Sequence, residues 1–255
     1  MVKIQKKIST YSPYLFGISG ILLIILIYFL ITIFQNNEFV YPSLSSVFVS
    51  FGGFFYDLNK FVPLAYSFFR VLISVVISFI VSLILTFIFV LYKPLLNLFK
   101  PILYIFKVAP LAAITLYLFL ILPSNGVNYV VTCMLLIPLF LEANINGINN
   151  INKDILDDLE LNKANIFIKF FKVFIPMIFP YIIMSLFQGI GLAFKTTVMC
   201  EYLVLQENSL GFLIKIYKDS LNTSDLIGSI LIIVFYVVIF ELIIKIFKKY
   251  LFTQE

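Results

Sequence analysis

The 255-residue sequence has no histidine, no tryptophan and only two cysteines, Cys133 and Cys200, which lie far apart in apolar surroundings. Without a Cys-x-x-Cys pair, neither a disulfide framework nor a thiolate metal site is expected. A catalytic site usually needs a convergent set of histidine, cysteine or carboxylate side chains. The sequence therefore predicts no catalytic residues, no metal site and no cofactor.

Charged residues are also scarce. They make up 12% of the chain, whereas 62% of it is apolar and the mean hydropathy is +1.09. A soluble domain is roughly half apolar and about a quarter charged, and about 20 apolar residues suffice to cross a bilayer. The sequence therefore predicts an all-α membrane protein. The net charge of +5 does not indicate a nucleic-acid partner, because the lysines lie at the ends of the apolar runs.

The apolar runs predict six transmembrane helices. One uncharged run, 108–141, contains Pro123-Ser124-Asn125-Gly126, a turn signal that divides it into a third and a fourth span. The first run follows three lysines and is too long for the apolar part of a signal peptide, so a retained span is expected. The approximate bounds of the other spans are 14–34, 63–92, 173–200 and 226–244.

The lysines predict the orientation of these spans. Only Lys60, Lys215 and Lys218 fall in loops on the side opposite the chain ends. Because basic residues favour the cytoplasmic side, both termini and the polar segment 146–172 are expected to be cytoplasmic. The lysines on that side are at positions 3, 6, 7, 93, 100, 153, 163, 169, 172, 245, 248 and 249.

Two outer segments are predicted to be helices too polar to span. The first follows Pro42-Ser43 and has apolar residues suited to lying in the membrane interface, namely Val47, Phe48, Phe51 and Phe55. The second opens at Ser209-Leu210-Gly211 and continues to about residue 220. Membrane-surface packing is the preferred interpretation of the first segment.

Small residues recur at helical spacing on the second and fifth predicted spans. Ser74, Ser78 and Ser82 form one stripe, and a second stripe contains Ser185, Gly189 and Ala193. Small residues allow helices to approach closely in lipid, so close packing is favoured over the lining of a pathway, and both spans are expected to be inner helices. The first span is expected to be peripheral.

Ionisable residues at membrane depth are hypotheses of function. Arg70 and Lys195 fall toward the outer ends of the two inner helices, with Glu201 as a candidate counter-ion. They could make the outer mouth of a pathway positive, which favours an anionic solute, whereas Lys107 and Glu241 are interpreted as snorkelling. The candidate pathway residues are Arg70, Ser74, Ser78, Lys195 and Glu201.

The longest polar passage, Glu142 to Pro180, separates two spans. Its apolar residues Ile151, Ile155, Leu156 and Leu159 share one helical face, and Asp154, Asp157 and Asp158 lie away from that face. Asn152 is suited to the N-cap, and a second short helix can begin after Asn165. Because helix connections usually take about 2–8 residues, so long a segment favours docking to a soluble partner over a passive connector.

Several fragments match a known pattern in order and spacing. They are Tyr41-Pro42-Ser43, Ser67-Phe68-Phe69-Arg70-Val71, Lys107-Val108-Ala109-Pro110-Leu111-Ala112, Leu192-Ala193-Phe194-Lys195 through Val198 to Glu201, and Ser209-Leu210-Gly211. Together they resemble the permease subunit of bacterial ABC importers, in the branch of the nitrate, taurine and aliphatic sulphonate systems. The resemblance covers about residues 41–250. Phe194 stands where that family favours tryptophan.

The family's cytoplasmic signature is E-A-A-x-x-x-G followed, nine residues later, by I-x-L-P. Counted back from Pro176, Val173 and Ile175 occupy the Ile and Leu slots, Lys163 the glycine slot and Asp157-Asp158-Leu159 the E-A-A slots. The resemblance implies that 146–172 is the coupling helix segment that contacts the ATPase. The residues it assigns to that contact are Asp154, Asp157, Asp158, Leu159, Glu160, Lys163, Ala164 and Pro176.

The resemblance implies a permease of type I architecture in the bacterial cytoplasmic membrane, with residues 1–61 peripheral, a core at 62–250 and one transmembrane domain over 1–255. Implied partners are cytoplasmic ABC ATPase subunits, a second permease subunit (identical or related) and an extracytoplasmic substrate-binding protein. The sequence has no G-x-x-x-x-G-K, so ATP hydrolysis is assigned to the separate subunit. The alternative, an ATP-independent secondary transporter, would need mid-span carboxylates, and none is found.

Overall fold

Helices account for all regular structure in a computed structural model that describes residues 2–35, 37–161 and 165–252. Side chains are described at 16–17, 19–35, 37–159, 165–244 and 246. The helices are α1 (Val2–Gln35), α2 (Leu44–Tyr56), α3 (Leu58–Leu91), α4 (Lys93–Val108), α5 (Leu111–Phe119), α6 (Ser124–Asn149), α7 (Lys153–Leu161), α8 (Ile166–Lys169), α9 (Ile175–Leu203), α10 (Leu210–Asp219) and α11 (Thr223–Phe252). A π-helical turn, Phe170–Phe174, joins α8 to α9.

Several helical segments are long and apolar enough to cross a membrane. Within the described residues there are four, and the pair α4–α5, bent by 93°, adds a fifth if it is counted as one span. These segments agree with the prediction of a helical multi-pass membrane protein, while the count of six stays a prediction. The four are Leu58–Leu91, Ser124–Asn149, Ile166–Leu203 and Thr223–Ile244, and the described part of the first predicted span, Ser19–Gln35, is a shorter apolar helix.

The bend between α4 and α5 follows from Ala109-Pro110. A proline ring disfavours helical backbone at the preceding residue, and Ala109 is extended, with φ −62° and ψ 138°. Pro110 then caps the start of α5. The stretch ahead of the third predicted span, which the predicted span bounds leave as a connection, is a 16-residue helix of its own.

The two outer segments are helical as predicted. Ser43 caps α2 by accepting a hydrogen bond from the backbone N–H of Ser46, and Ser209 caps α10 in the same way through Phe212. Only some of the apolar residues of α2 pack against the protein: Val47 is buried, whereas Phe48 is 57% exposed. Both helices therefore lie against the bundle with part of their surface free.

The centre of the bundle is formed by α3, α6 and α9. The contact between α6 and α9 is the most extensive in the described chain, followed by that between α3 and α6. One core cluster draws residues from all three helices: Val71, Val75, Leu136, Phe140, Ala193 and Phe194. The prediction that the second and fifth spans are inner helices is confirmed, and the described part of α1 is largely exposed.

Both small-residue stripes lie inside this bundle. Ser74, Ser78 and Ser82 on α3 are fully buried, and so are the three small residues on α9. A Cβ added at Gly189 would lie 2.5 Å from Phe140 Cε1, much closer than carbon atoms can pack. The predicted close packing is therefore confirmed at these positions, because any larger residue at 189 would meet a buried ring.

Replacing Gly189 with alanine is expected to destabilise the protein by about 1–3 kcal/mol, the usual cost of overpacking a core. The matched control is Gly191→Ala, two residues along the same helix, where the nearest atom to an added Cβ is Val237 Cγ1 at 3.6 Å. Because alanine favours a helix over glycine by up to about 1 kcal/mol, the control is expected to be neutral or stabilising. Thermal unfolding in detergent measures both variants, and equal midpoints would contradict the close contact.

Candidate functional site

A buried carboxylate lies in the last turn of α9, at the end of the bundle that the lysine distribution predicts to be the outer one. Glu201 has no exposed surface, and its Oε1 lies 3.1 Å from Nη1 of Arg70 on α3. The Arg70 side chain is only 12% exposed. A buried charge requires a partner because desolvation without one is costly, and this ion pair provides it across two of the three central helices.

Ser67 extends the ion pair to a third helix. Its hydroxyl donates to Glu201 Oε2 at 2.7 Å and accepts from the backbone N–H of Leu210 at 2.8 Å. The N–H of Gly211 also donates to Oε2, at 3.2 Å. Glu201 and Ser67 thus satisfy the free N–H groups at the start of α10, so that α3, α9 and α10 meet in one hydrogen-bonded network.

Gly211 is required for this arrangement. A Cβ at this position would lie 2.5 Å from Glu201 Cβ and 2.5 Å from the backbone nitrogen of Tyr202. No side chain fits there without moving the backbone of α9. The glycine therefore allows α10 to approach the carboxylate closely enough for its N–H to donate.

Arg70 also contacts the loop between α9 and α10. Its Nη1 donates to the carbonyl of Asn208 at 3.4 Å. The side-chain amide of Gln206 lies 3.2 Å from both Nε and Nη2, and accepts from both when its oxygen faces the guanidinium. Gln206 is 2% exposed, and the same amide atom lies 2.7 Å from Asn125 Oδ1. With the Gln206 oxygen facing the guanidinium, the network continues to the start of α6 when the Asn125 amide presents its nitrogen.

Lys195 is placed differently from Arg70. It is exposed and makes no ion pair with any described residue. Met184 and Gln188 are exposed on the same side of α9, at helical spacing from Lys195. The most central helix of the bundle therefore leaves one face uncovered, and that face carries an amine and an amide.

Of the five residues predicted to line a pathway, the structure brings Arg70 and Glu201 together and leaves Lys195 apart from them. Ser74 and Ser78 are fully buried, and their hydroxyl oxygens have no hydrogen-bond partner within the described part of the chain. The serines are thus enclosed by helix packing in this conformation. Ser67, Gln206 and Asn125 belong to the outer network but were not among the predicted site residues.

A second charged cluster attaches α2 and α11 to the bundle. Asp225 accepts from Lys60 Nζ, from the hydroxyl of Ser50 and from the amide of Asn222. Burial, followed by the negative charges of Asp225 and Asp57, raises the pKa of Tyr217 to about 12. The phenol of Tyr217 therefore stays protonated, and the Lys60 amine lies 5.8 Å from its ring centre.

At the opposite end, the long polar passage folds as α7 and packs onto the bundle. Ile155, Leu156 and Leu159 contact a core cluster that contains Phe170 and Ile178. Asn152 accepts from the N–H of Asp154 at 3.2 Å, as an N-cap does. The predicted apolar face of this helix is therefore confirmed, and it is covered by protein.

The acidic residues of α7 lie on the uncovered side. Asp154, Asp157 and Asp158 are exposed, and so is Pro176 at the start of α9. The side chain of Glu160 and the whole of Lys163 and Ala164, which the sequence also assigns to the contact with an ATPase, lie outside the described residues. α8 begins after Asn165, whose side chain accepts from the N–H of Phe167 at 3.0 Å, as predicted.

No protein-family profile matches the chain, and no curated protein sequence matches it significantly.

The buried ion pair can be tested with a double-mutant cycle of Arg70→Gln and Glu201→Gln. Removing one partner of a buried pair is expected to cost about 3–5 kcal/mol, because the other charge is left uncompensated. The double variant is expected to lose less than the sum of the two singles, by about 1–3 kcal/mol. Unfolding by denaturing detergent measures all four proteins.

The matched control is the same cycle on Lys107 and Glu142. These side chains are paired at 2.6 Å but are 46% and 54% exposed, so their coupling is expected to stay below about 1 kcal/mol. Additive effects at Arg70 and Glu201, equal to those of the exposed pair, would show that the buried pair does not hold the outer end together.

Proposed function

We propose that this chain is the permease subunit of an ATP-driven ABC importer in the bacterial cytoplasmic membrane. In this proposal it has six spans with both termini in the cytoplasm, and it assembles with a second permease subunit, identical or related. ATPase subunits bind on the cytoplasmic side, and an extracytoplasmic binding protein delivers a small solute. The chain itself hydrolyses no ATP and provides the pathway by alternating access.

The observation that carries this proposal is the packing of α7. This nine-residue helix packs through its apolar face against Phe170 and Ile178, near the beginning of the longest apolar segment. Its opposite side is acidic and exposed. A passive connector needs no such fixed orientation. A helix held this way presents the same acidic surface to a soluble partner and moves together with α9, as coupling requires.

The route from α7 to the outer end is continuous. The segment Ile166–Leu203 runs from the contact with α7 to Glu201. Its π-helical turn, Phe170–Phe174, lies beside α7, and such turns are irregular points of a helix that often occur at functional sites. In the proposed mechanism, closure of the ATPases displaces α7, and α9 transmits that displacement to the outer network of Arg70 and Glu201.

The outer network brings together three of the sequence fragments that resemble the permease family. Ser67 and Arg70, Glu201, and Leu210-Gly211 come from three separate fragments that resemble the permease family. The fragment of Ser67 and Arg70 is 131 to 143 residues from its partners in the other two fragments, whereas Glu201 and Gly211 are 10 residues apart. Hydrogen bonds join all three. A shared structural role of these fragments is consistent with the proposed family.

The uncovered face of α9 supports a pathway beside this helix. Lys195 lies six residues from Glu201, about 9 Å deeper along the axis at 1.5 Å per residue. An exposed lysine in the hydrocarbon region costs about 2.5–3.5 kcal/mol. We propose that Gln188 and Lys195 face water in the pathway between two permease subunits, where the lysine would attract an anionic solute.

The proposed ATPase contact predicts the effect of charge reversal on α7. Replacing Asp157 and Asp158 together with lysine is expected to abolish co-purification of the ATPase, because the acidic surface proposed to bind it then becomes basic. The matched control reverses two exposed acids in outer loops, Glu38 and Glu207, and is expected to retain the ATPase. Equal recovery of the ATPase with both variants, at equal yield of folded permease, would contradict the proposal.

The pathway predicts which positions react with a charged, water-soluble thiol reagent. In a background with Cys133 and Cys200 replaced by alanine, Lys195→Cys and Gln188→Cys in membranes are expected to be labelled. Val234→Cys, on α11 and 52% exposed, is the control and is expected to stay unlabelled because lipid prevents thiolate formation. Labelling of Lys195→Cys no faster than the control would place that face against lipid.

A further inference from the structure

A groove between α4 and the second half of α6 combines charged and apolar walls. Its volume is about 390 Å³, and Lys100, Lys107, Glu142 and Asn146 contribute its polar lining. Leu103 and Leu141 are among its apolar lining residues. The volume falls in the range of roughly 300–1,000 Å³ that small-molecule sites occupy, and a ligand with both an ionic and an apolar part would match both kinds of wall.

The helix that forms one wall is built like an interfacial helix. Lys93, Lys100 and Lys107 recur every seven residues and are all exposed, with Tyr104 on the same side. Next to them, Leu98 and Ile105 are 65% and 60% exposed, and no residue of α4 is buried. A helix with a cationic face and an uncovered apolar face suits the boundary between headgroups and acyl chains.

We propose that this groove binds the headgroup of an anionic phospholipid. Lys100 and Lys107 would hold the phosphate, and the acyl chains would run along Leu103 and the exposed apolar side of α4. Basic grooves between membrane helices match anionic headgroups, and the lysine distribution predicts that this end of the bundle is in the cytoplasmic leaflet. The inference rests on the membrane placement of the chain and not on an ATPase or a transported solute.

Glu142 makes the proposal specific. Its Oε2 lies 2.6 Å from Lys107 Nζ, and both side chains are about half exposed. The carboxylate is therefore already paired with one of the two lysine amines that line the groove. A phosphate in the groove would compete with this carboxylate for the amine. Removing the negative charge of Glu142 is therefore expected to strengthen lipid binding, whereas a merely structural ion pair gives no such gain.

The test is lipid retention by the purified full-length chain in detergent, counted by native mass spectrometry. The probes are phosphatidylglycerol and phosphatidylcholine with identical acyl chains. Phosphatidylglycerol is expected to be retained preferentially, and Lys100→Gln to weaken its binding about fivefold, which corresponds to about 1 kcal/mol per basic residue near an anionic surface. Glu142→Gln is expected to strengthen binding of phosphatidylglycerol relative to phosphatidylcholine, a selective gain that misfolding does not produce.

The matched control is Lys93→Gln, which removes a lysine of the same helix outside the groove and is expected to leave lipid binding unchanged. Equal retention of the two lipids, equal losses in Lys93→Gln and Lys100→Gln, or weaker binding in Glu142→Gln would each overturn the proposal. So would displacement of phosphatidylglycerol by equimolar glycerol phosphate, which would indicate a soluble ligand. If Lys100→Gln lowered the fraction of two-chain assemblies and left lipid retention unchanged, the proposal would be overturned, because the groove would then bind a second copy of this chain.

Discussion

A carboxylate without any exposed surface determines how α3, α9 and α10 meet at one end of the bundle. Arg70, Ser67 and the backbone of α10 supply the hydrogen-bond donors that a buried carboxylate needs. Two of these donors come from α3 and the third from α10, so satisfying one buried carboxylate fixes the relative positions of α3, α9 and α10. Gly211 completes this constraint by letting the backbone approach. The surrounding apolar contacts add stability, but they do not by themselves select one arrangement of these ends.

The helix that carries Glu201, α9, has different roles at different points along its length. Its middle part is packed through small residues, so that Gly189 admits the ring of Phe140, and its lower end is continuous with the turn that supports α7. One side of the same helix stays uncovered around Lys195. Rigid packing on one side and an open polar face on the other are what a moving wall of a pathway needs. This combination is why the proposed function depends on α9 more than on any other helix.

The sequence predicts the parts of this fold that depend on local composition. Uncharged runs locate α3, α6, α9 and α11, and serine or glycine at every fourth position identifies the packed faces. Hydropathy does not distinguish α4 from a polar connection. The lysines of α4 lower the mean hydropathy of the segment, although its apolar residues lie on other faces of the same helix. Gln206 was missed because a loop amide carries no signal of its partner. The pairing of Arg70 with Glu201 was only one of several options, since a sequence does not show which of two cations, Arg70 or Lys195, reaches the carboxylate.

The distance along the chain between Arg70 and Glu201 has a consequence for synthesis. Arg70 leaves the ribosome 131 residues before its counter-charge, which at roughly 5–20 residues per second is a delay of about 7–26 s. During that interval α3 carries an uncompensated guanidinium, and the long side chain can reach the headgroup region to stay hydrated. α3 is therefore expected to enter the membrane before its depth in the bilayer is fixed. Its final depth is set only when Glu201 and the start of α10 have emerged, so the contact of α3 with α9 and α10 is completed late in synthesis.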